Sequence, residues 1–394
     1  MYAVTISMKT LSSEGFKIVK KASQEVVGSS LAEPGCIHFD VLFDQDSLSL
    51  TFYEAYKTRN AFELHLQAAH TKLWADKCLP YIERETIKMP ETISEWSTST
   101  EHRVVVFGAT GKIGSELVKL LVQDPGCDEV IVLSRNIQSA SSRRLALLDP
   151  KVSLRSSAMD DLETSCLGAT EAFVIAPVVD DMADWHASVA SALKKVGVDH
   201  IVKVSVTGAR SPESDPPPGR FPSLHWAGEE AFRHSGIKTT VIRPTIFMQH
   251  FEMGTGIYTR GDHRVFLPVG DANVAFLDCR DIAKMGYALL MSSRAIPFHG
   301  GAYELTGPEA ITGHKIVEVI SAVRGDTVVY HDTMEEFTAR CEELGQSDWP
   351  KAVYQEAREG WFAELATDEF EAIVGHKPRS FCHYVDDRVY WFKE

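Results

Sequence analysis

Three glycines, Gly108, Gly111 and Gly114, recur at intervals of three in the stretch VVVFGATGKIGSEL. They follow four consecutive apolar residues, Val104 to Phe107, and open an apolar-periodic run from Ile113 to Gln123. Glycine here lets the chain turn sharply out of a strand and lets its backbone approach a pyrophosphate, which the N-terminus of the next helix favours electrostatically. The spacing alone would also suit an ordinary strand-to-helix turn; a strand before it and a helix after it point to a dinucleotide site. The next strand, EVIVLS, ends at Ser134 and Arg135, with no Asp or Glu where a ribose 2′-hydroxyl would be held. Arg135, with Arg143 or Arg144 beyond it, offers a planar donor fork suited to a 2′-phosphate, which favours NADP(H). The same arginines would also suit a solvated helix face.

A second constellation precedes the glycines. Side chains alternate along SLSLTFYEAYK, so Leu48, Leu50, Phe52, Glu54 and Tyr56 share one face. Glu54 is the one carboxylate on that apolar face and needs either a partner or a raised pKa. A helix expected from Asn60 to about Leu79 carries the stripe Phe62, Leu66, Ala69 and Leu73, with His65 on one flank and His70 and Trp74 on the other. A spacing of five sets the two histidines on different faces of one helix, so no shared metal ion is expected.

At 394 residues, the chain exceeds what one hydrophobic core usually organises, which implies two or three domains. Residues 1–89 read as a βαββαβ pattern, the order of an α+β ferredoxin-like domain. Residues 90–102, rich in Ser and Thr, read as a linker. From Arg103, short apolar strands alternate with helical runs, among them Met182 to Val196 and one near Ser223 to His234. That alternation implies an α/β Rossmann-type, doubly wound parallel sheet over residues 103–394, loosening into a substrate lobe from about residue 245. The Pro-rich stretch Thr207 to Ser223 suits a lid.

A formal charge of −15 argues against nucleic acid as a partner, since such binders carry a basic face. The seven scattered cysteines form no C-x-x-C pair, as expected of free thiols in a reducing compartment. No signal-peptide pattern and no apolar run near 20 residues is evident, so a cytoplasmic protein without a membrane partner is expected.

Short-chain dehydrogenases pair their glycine loop with Tyr-x-x-x-Lys, the tyrosine serving as acid. That spacing occurs once, at Tyr53 and Lys57, ahead of the loop and inside a strand, where chance explains it. After the strand HIVKVSV comes SLHWAGEEAFRHSG, with His225 and Glu229 one helical turn apart. His225 is the acid candidate because histidine can titrate near neutrality, although a helix N-terminal histidine bonding locally fits equally. Asp281 reads as a helix cap. Together GATGKIGSELVKLL, VKVSVTGA, HWAGEEAFRHSGIKTTVIRPTIFMQHF and FLPVGDANVAFLDCRDIA resemble the NmrA-like, atypical short-chain dehydrogenase family over roughly Arg103 to Ser380. The resemblance implies quinone, iminium or enone reduction with NADPH, or redox-silent NADP sensing. Gly108, Thr110, Gly111, Lys112, Ile113, Gly114, Arg135 and Ser205 are then expected at the cofactor. Without a tyrosine, an acceptor whose reduced product is a stabilised anion is favoured.

EPGCIHFDVLFD followed by FYEAYKTRNAFELHLQAAHTKLW resembles the antibiotic biosynthesis monooxygenase family. That resemblance implies a homodimer that oxygenates phenolate or hydroquinone with O2 and uses neither flavin nor metal. It places Glu54, His65, His70 and Trp74 at the pocket, with either histidine deprotonating substrate. A dimerisation domain without activity is the other reading of the same residues. The two resemblances together imply a bifunctional enzyme acting on an aromatic, quinone-type small molecule.

Overall fold

The computed structural model describes residues 2–33, 35–56, 59–83, 102–177, 179, 181–215, 218–252, 254–292, 298–346, 349–359 and 367–393. Contacts divide the chain into two units, Met1–Thr100 and Glu101–Glu394.

In the first unit, β1 (Tyr2–Lys9) leads into α1 (Ser13–Leu31), whose N-terminus is capped by the Ser12 hydroxyl accepting from the Gly15 amide at 3.1 Å. Phe16, Val19, Ala22 and Val26 form the buried stripe of α1, at the three- and four-residue spacing of one helical face. β2 (Cys36–Asp44) and β3 (Ser49–Tyr56) complete an antiparallel sheet of order β1-β3-β2, in which Glu54 stands opposite Val4 and Phe39. The expected face of β3 is found from Leu50 onward, with Leu50, Phe52, Glu54 and Tyr56 buried, whereas Leu48 lies in the turn before the strand with φ +53° and is only half-buried.

The helix expected over Asn60 to Leu79 is instead two, α2 (Arg59–Gln67) and α3 (Ala69–Cys78), separated by Ala68 in an extended conformation (φ −61°, ψ 147°). Breaking the helix resets its phase. Phe62 and His65 are buried, but Leu66 and Leu73 of the expected stripe face solvent, and the Trp74 indole donates to Ser23 Oγ of α1 at 3.0 Å. Ile82 bridges Thr10 in antiparallel sense, which starts a pairing on the free edge of β1. The remainder of the strand expected over YIERETIKM, and nearly all of the linker, lie outside the described residues.

The second unit is a doubly wound sheet. It runs β4 (His102–Phe107), α4 (Lys112–Gln123), β5 (Cys127–Ser134), α5 (Ala140–Ala146), β6 (Val152–Ser156), α6 (Leu162–Cys166), β7 (Glu171–Ile175), α7 (Met182–Val196), β8 (His200–Val204), α8 (Arg220–Ser235) and β9 (Lys238–Pro244). After β9 come β10 (Arg264–Phe266), α9 (Cys279–Met291), β11 (Ala302–Leu305), α10 (Gly313–Arg324), β12 (Val329–His331), α11 (Met334–Glu343), α12 (Trp349–Arg358), α13 (Glu369–Val374), α14 (Phe381–Asp386) and α15 (Val389–Lys393).

The large sheet has the order β11-β9-β8-β7-β4-β5-β6 and every adjacent pair is parallel. Helices cover both faces, so a central strand must be apolar on both. Val104 and Val106 enter one core with α4 and α9, while Val105 and Phe107 enter the other with α7. A separate core, from Ile246 to Phe392, surrounds the parallel pair β10-β12. Helix α8 begins at Arg220 rather than Ser223, because Gly219 in an extended conformation already serves as its N-cap.

The direction of the chain reverses across the sheet between β4 and β7, where the glycine loop lies. Gly108 has φ +72°, and a Cβ on it would lie 2.9 Å from Ile175 Cβ at the end of β7. A Cβ on Gly114 would lie 2.4 Å from the carbonyl oxygen of Gly108. Because that obstacle is backbone, Gly114→Ala must push α4 away from β4, at a cost on the order of 1–3 kcal/mol. Thermal unfolding and dinucleotide titration of the variant should show a lower Tm and affinity weakened about tenfold or more.

Candidate functional site

In a parallel sheet all strands end on one edge, and ligands bind there at the switch point. The ends of β4, β5, β7 and β8 therefore bring the expected cofactor residues together. Gly108, Thr110, Gly111 and Lys112 are exposed around the start of α4. Gly111 is the N-cap of α4 and supplies no side-chain cap, so the first amides of the helix remain open to an anion. Arg135 is exposed just beyond β5. Ser134, before it, is buried and accepts from Ser142 Oγ at 2.8 Å, which fixes the start of the following loop.

Beside the loop lies a cavity of about 240 Å³ lined by Ile113, Ile175, Ser205, Thr207, Phe221, His225, Phe247 and His250, with Pro222, Ile246 and Val353 among further apolar residues. Ile113, Ser205 and His225, distant in sequence, thus share one wall. The surroundings of Ser205 and His225 were not legible from spacing. The Ser205 hydroxyl donates to Glu229, whose carboxylate also accepts from Arg243 at 3.1 and 2.6 Å. Lys203 is wholly buried, donates to the Val204 carbonyl at 3.2 Å, and is pushed down to about 7 by that burial. Its one sequence signal is a lysine inside the apolar run HIVKVSV.

His225 is 7% exposed, and its Nδ1 has no hydrogen-bond partner among the described residues. Burial, together with the charges of Lys203 and His186, holds its imidazolium well below the ordinary histidine range. This corrects the basis on which His225 was expected to act: at neutral pH the ring is neutral, and it can donate a hydrogen bond but carries no readily released second proton. Asp281 is not the cap it was expected to be: Asp278 caps α9, and Asp281, inside the first turn, is buried and accepts from the Arg379 amide at 2.7 Å.

In the first unit, Glu54 is 3% exposed, accepts from the Tyr56 hydroxyl at 2.8 Å, and is pushed up to about 7, chiefly by burial. His65, equally buried, has Nδ1 2.9 Å from Glu33 Oε1 and Nε2 3.9 Å from Glu54 Oε2. Burial lowers its pKa. His70 Nε2 lies 2.9 Å from the same Glu33 oxygen. Trp74 packs edge-on against Phe52 with centroids 5.1 Å apart. The structure therefore gathers Glu54, His65 and His70 around Glu33, a residue that spacing did not single out. The ground for expecting the two histidines apart fails, because the break at Ala68 means they no longer share one helix.

Buried neutral histidines also set an acid limit on the second unit. Burial pushes His186 and His200 down to about 3, and His250 and His299 down to about 4. Folded-state values below the unfolded one mean stability that is present above the ordinary histidine range and lost as pH falls through the folded values. Each group contributes at most about 1.4 kcal/mol per pH unit over that window. Tm of the second unit should therefore fall steadily from pH 6.5 to 4.5, and His250→Gln should reduce the slope; a flat profile would contradict the burial of these rings.

Comparison with known proteins places this geometry. The model of the NmrA-like family matches residues 100–357, and that of antibiotic biosynthesis monooxygenases matches residues 1–77. An NAD(P)H azoreductase of Xenophilus azovorans is 28% identical over 299 residues, covering 71% of this chain and 96% of that protein. A (4-alkanoyl-5-oxo-2,5-dihydrofuran-3-yl)methyl phosphate reductase of Streptomyces griseus is 31% identical over 226 residues, covering 56% of this chain and 74% of the relative. In fold, an NADPH-dependent quinone oxidoreductase of Escherichia coli, solved with NADPH, matches 72% of this chain and 99% of its own, with a TM-score of 0.62 at 20% identity. With its glycine loop at the switch point and its family match over most of the second unit, the chain belongs to the NmrA-like family, joined to an N-terminal antibiotic biosynthesis monooxygenase domain.

Proposed function

We propose that this protein is an NADPH-dependent reductase of quinone-type or similarly electron-poor aromatic acceptors, whose N-terminal domain oxygenates the phenolic product. The domains in this reading are residues 1–89 and 103–394, with residues 90–102 as linker and the substrate lobe starting at about residue 245. The observation that carries the reductase reading is the lining of the cavity beside Ile113. Its polar side chains are Ser205, Thr207, His225, Thr245 and His250, with no tyrosine, lysine or carboxylate among the lining residues.

The loop fits a dinucleotide, because the missing Cβ atoms of Gly108 and Gly114 permit the tight turn and the close approach of α4 to β4, and α4 begins without a side-chain cap. Gly108 to Gly114 would hold its pyrophosphate, and Arg135 its 2′-phosphate. NADPH, when bound, supplies a hydride. The apolar walls, Ile175, Phe221 and Phe247, exclude water and suit a flat aromatic acceptor. A reduced quinone leaves as a phenolate-type anion with a pKa of about 10, which neutral His225 or solvent can satisfy by hydrogen bonding, the Ser205 hydroxyl being already committed to Glu229. The names of the azoreductase and the quinone oxidoreductase support acceptors of this class. The N-terminal reading is supported by Glu54, a carboxylate held near neutrality beside His65 in an apolar setting.

Anaerobic NADPH oxidation with a panel of quinones and azo dyes, followed by product mass spectrometry under labelled oxygen, tests both halves. Acceptor-dependent NADPH oxidation is expected, with label in the product only when residues 1–89 are present. Cofactor binding without turnover of any acceptor would instead select a redox-silent NADP sensor. Arg135→Ala should raise KM for NADPH about tenfold while leaving NADH nearly unaffected. His225→Ala should lower kcat by less than about a hundredfold, since a true general acid contributes 10²- to 10⁴-fold.

A further inference from the structure

In the first unit the two histidines that the monooxygenase resemblance places at its pocket converge on Glu33, a residue that neither that resemblance nor the reductase reading uses. We infer that Glu33, His65 and His70 form a three-ligand site for a divalent first-row transition cation, with Glu54 as its outer carboxylate. The inference concerns the first unit only and stands or falls independently of NADPH-dependent reduction.

Three separate segments supply the donors: the turn after α1 provides Glu33, the last turn of α2 provides His65, and the first turn of α3 provides His70. On one continuous helix, residues five apart would be about 140° apart around the axis. The extended Ala68 removes that separation, and the two imidazole rings lie with centroids 5.7 Å apart. No proline or glycine stands in HLQAAHTKLW to impose the break, and Ala68 offers no side-chain cap in return.

The donor atoms converge. Glu33 Oε1 is 2.9 Å from His65 Nδ1 and 2.9 Å from His70 Nε2, and one ligand atom from each residue lies within 4.8 Å of the others. His70 Nε2 is buried and, despite its closeness to Glu33, is not aligned for a hydrogen bond with any described residue. A cation bound about 2.0–2.2 Å from imidazole nitrogen and carboxylate oxygen needs donors roughly 3 Å or a little more apart, which small rotations of these side chains supply.

The surroundings match what a ligating histidine requires. A metal-bound imidazole almost always presents its other nitrogen to a carboxylate or other acceptor, which fixes the ring and its tautomer. His65 ligating through Nδ1 would present Nε2 toward Glu54 Oε2 at 3.9 Å and Thr71 Oγ1 at 3.4 Å. Glu54 is held in turn by the Tyr56 hydroxyl at 2.8 Å. Two imidazoles and one carboxylate select zinc, iron, cobalt or nickel over magnesium or calcium, which prefer all-oxygen sets. Three protein ligands leave coordination positions for water or a small molecule.

Untagged full-length protein, stripped with chelator and dialysed, would be titrated with Co²⁺ while visible absorption is followed, then with Zn²⁺ in competition. One Co²⁺ per chain with d–d absorption, displaced by Zn²⁺, is expected. Glu33→Gln and His70→Ala should each weaken binding about a hundredfold or more, and Glu54→Gln about tenfold, as removal of an outer partner does. Circular dichroism of the variants, and a Tm raised by Zn²⁺ in wild type but not in His70→Ala, separate lost ligands from lost folding. Absence of stoichiometric Co²⁺ binding by wild type, or binding unchanged in both folded ligand variants, would overturn the site.

Discussion

Helix α4 can sit on the end of β4 only because nothing projects from Gly114 toward the Gly108 carbonyl. That close approach fixes where α4 starts, and with it the position of Ile113 in the cavity wall and of the open helix amides beside it. Leu117, Val118 and Leu121 then reach the core that α4 shares with α9. A side chain at this one point would displace the helix on which the cofactor loop, the cavity and that core all rest.

Exclusion of water shapes the chemistry of both units. In the second unit it holds Lys203 near neutrality and keeps His225 uncharged. In the first it raises Glu54 and lowers His65. Strong acids are thus absent from the cavity lining, and exchangeable protons gather around Glu54. In the function proposed above, a cavity that stabilises an aromatic anion without a fixed acid and a site able to take a proton from a phenol would meet complementary requirements for reducing and then oxygenating one ring. The short network from Ser205 through Glu229 to Arg243 holds one carboxylate beside the cavity without presenting it among the lining residues.

Much of this was legible locally. The glycine spacing marked the loop because φ +72° at Gly108 and a backbone contact at Gly114 are requirements of those positions alone. Period-two alternation placed Glu54 on the buried face of β3, and the unbroken apolar run of β4 announced a strand covered on both sides. The stripe predicted for Phe62, Leu66, Ala69 and Leu73 failed for a single reason: periodicity assumes one helix, and Ala68 ends it. Alanine is the best helix former, so no local signal could have revealed the break.

The order of elements, the dinucleotide loop and the apolar face carrying Glu54 were determined by residue types at short separations, where backbone sterics and side-chain periodicity act within one element. Only the tertiary structure decided that Glu33, His65 and His70 converge, that Lys203 lies wholly buried behind the cavity, and that His225 stays neutral. Those outcomes depend on which distant segments exclude water from a given atom, and desolvation is a property of the packed neighbourhood rather than of the residue.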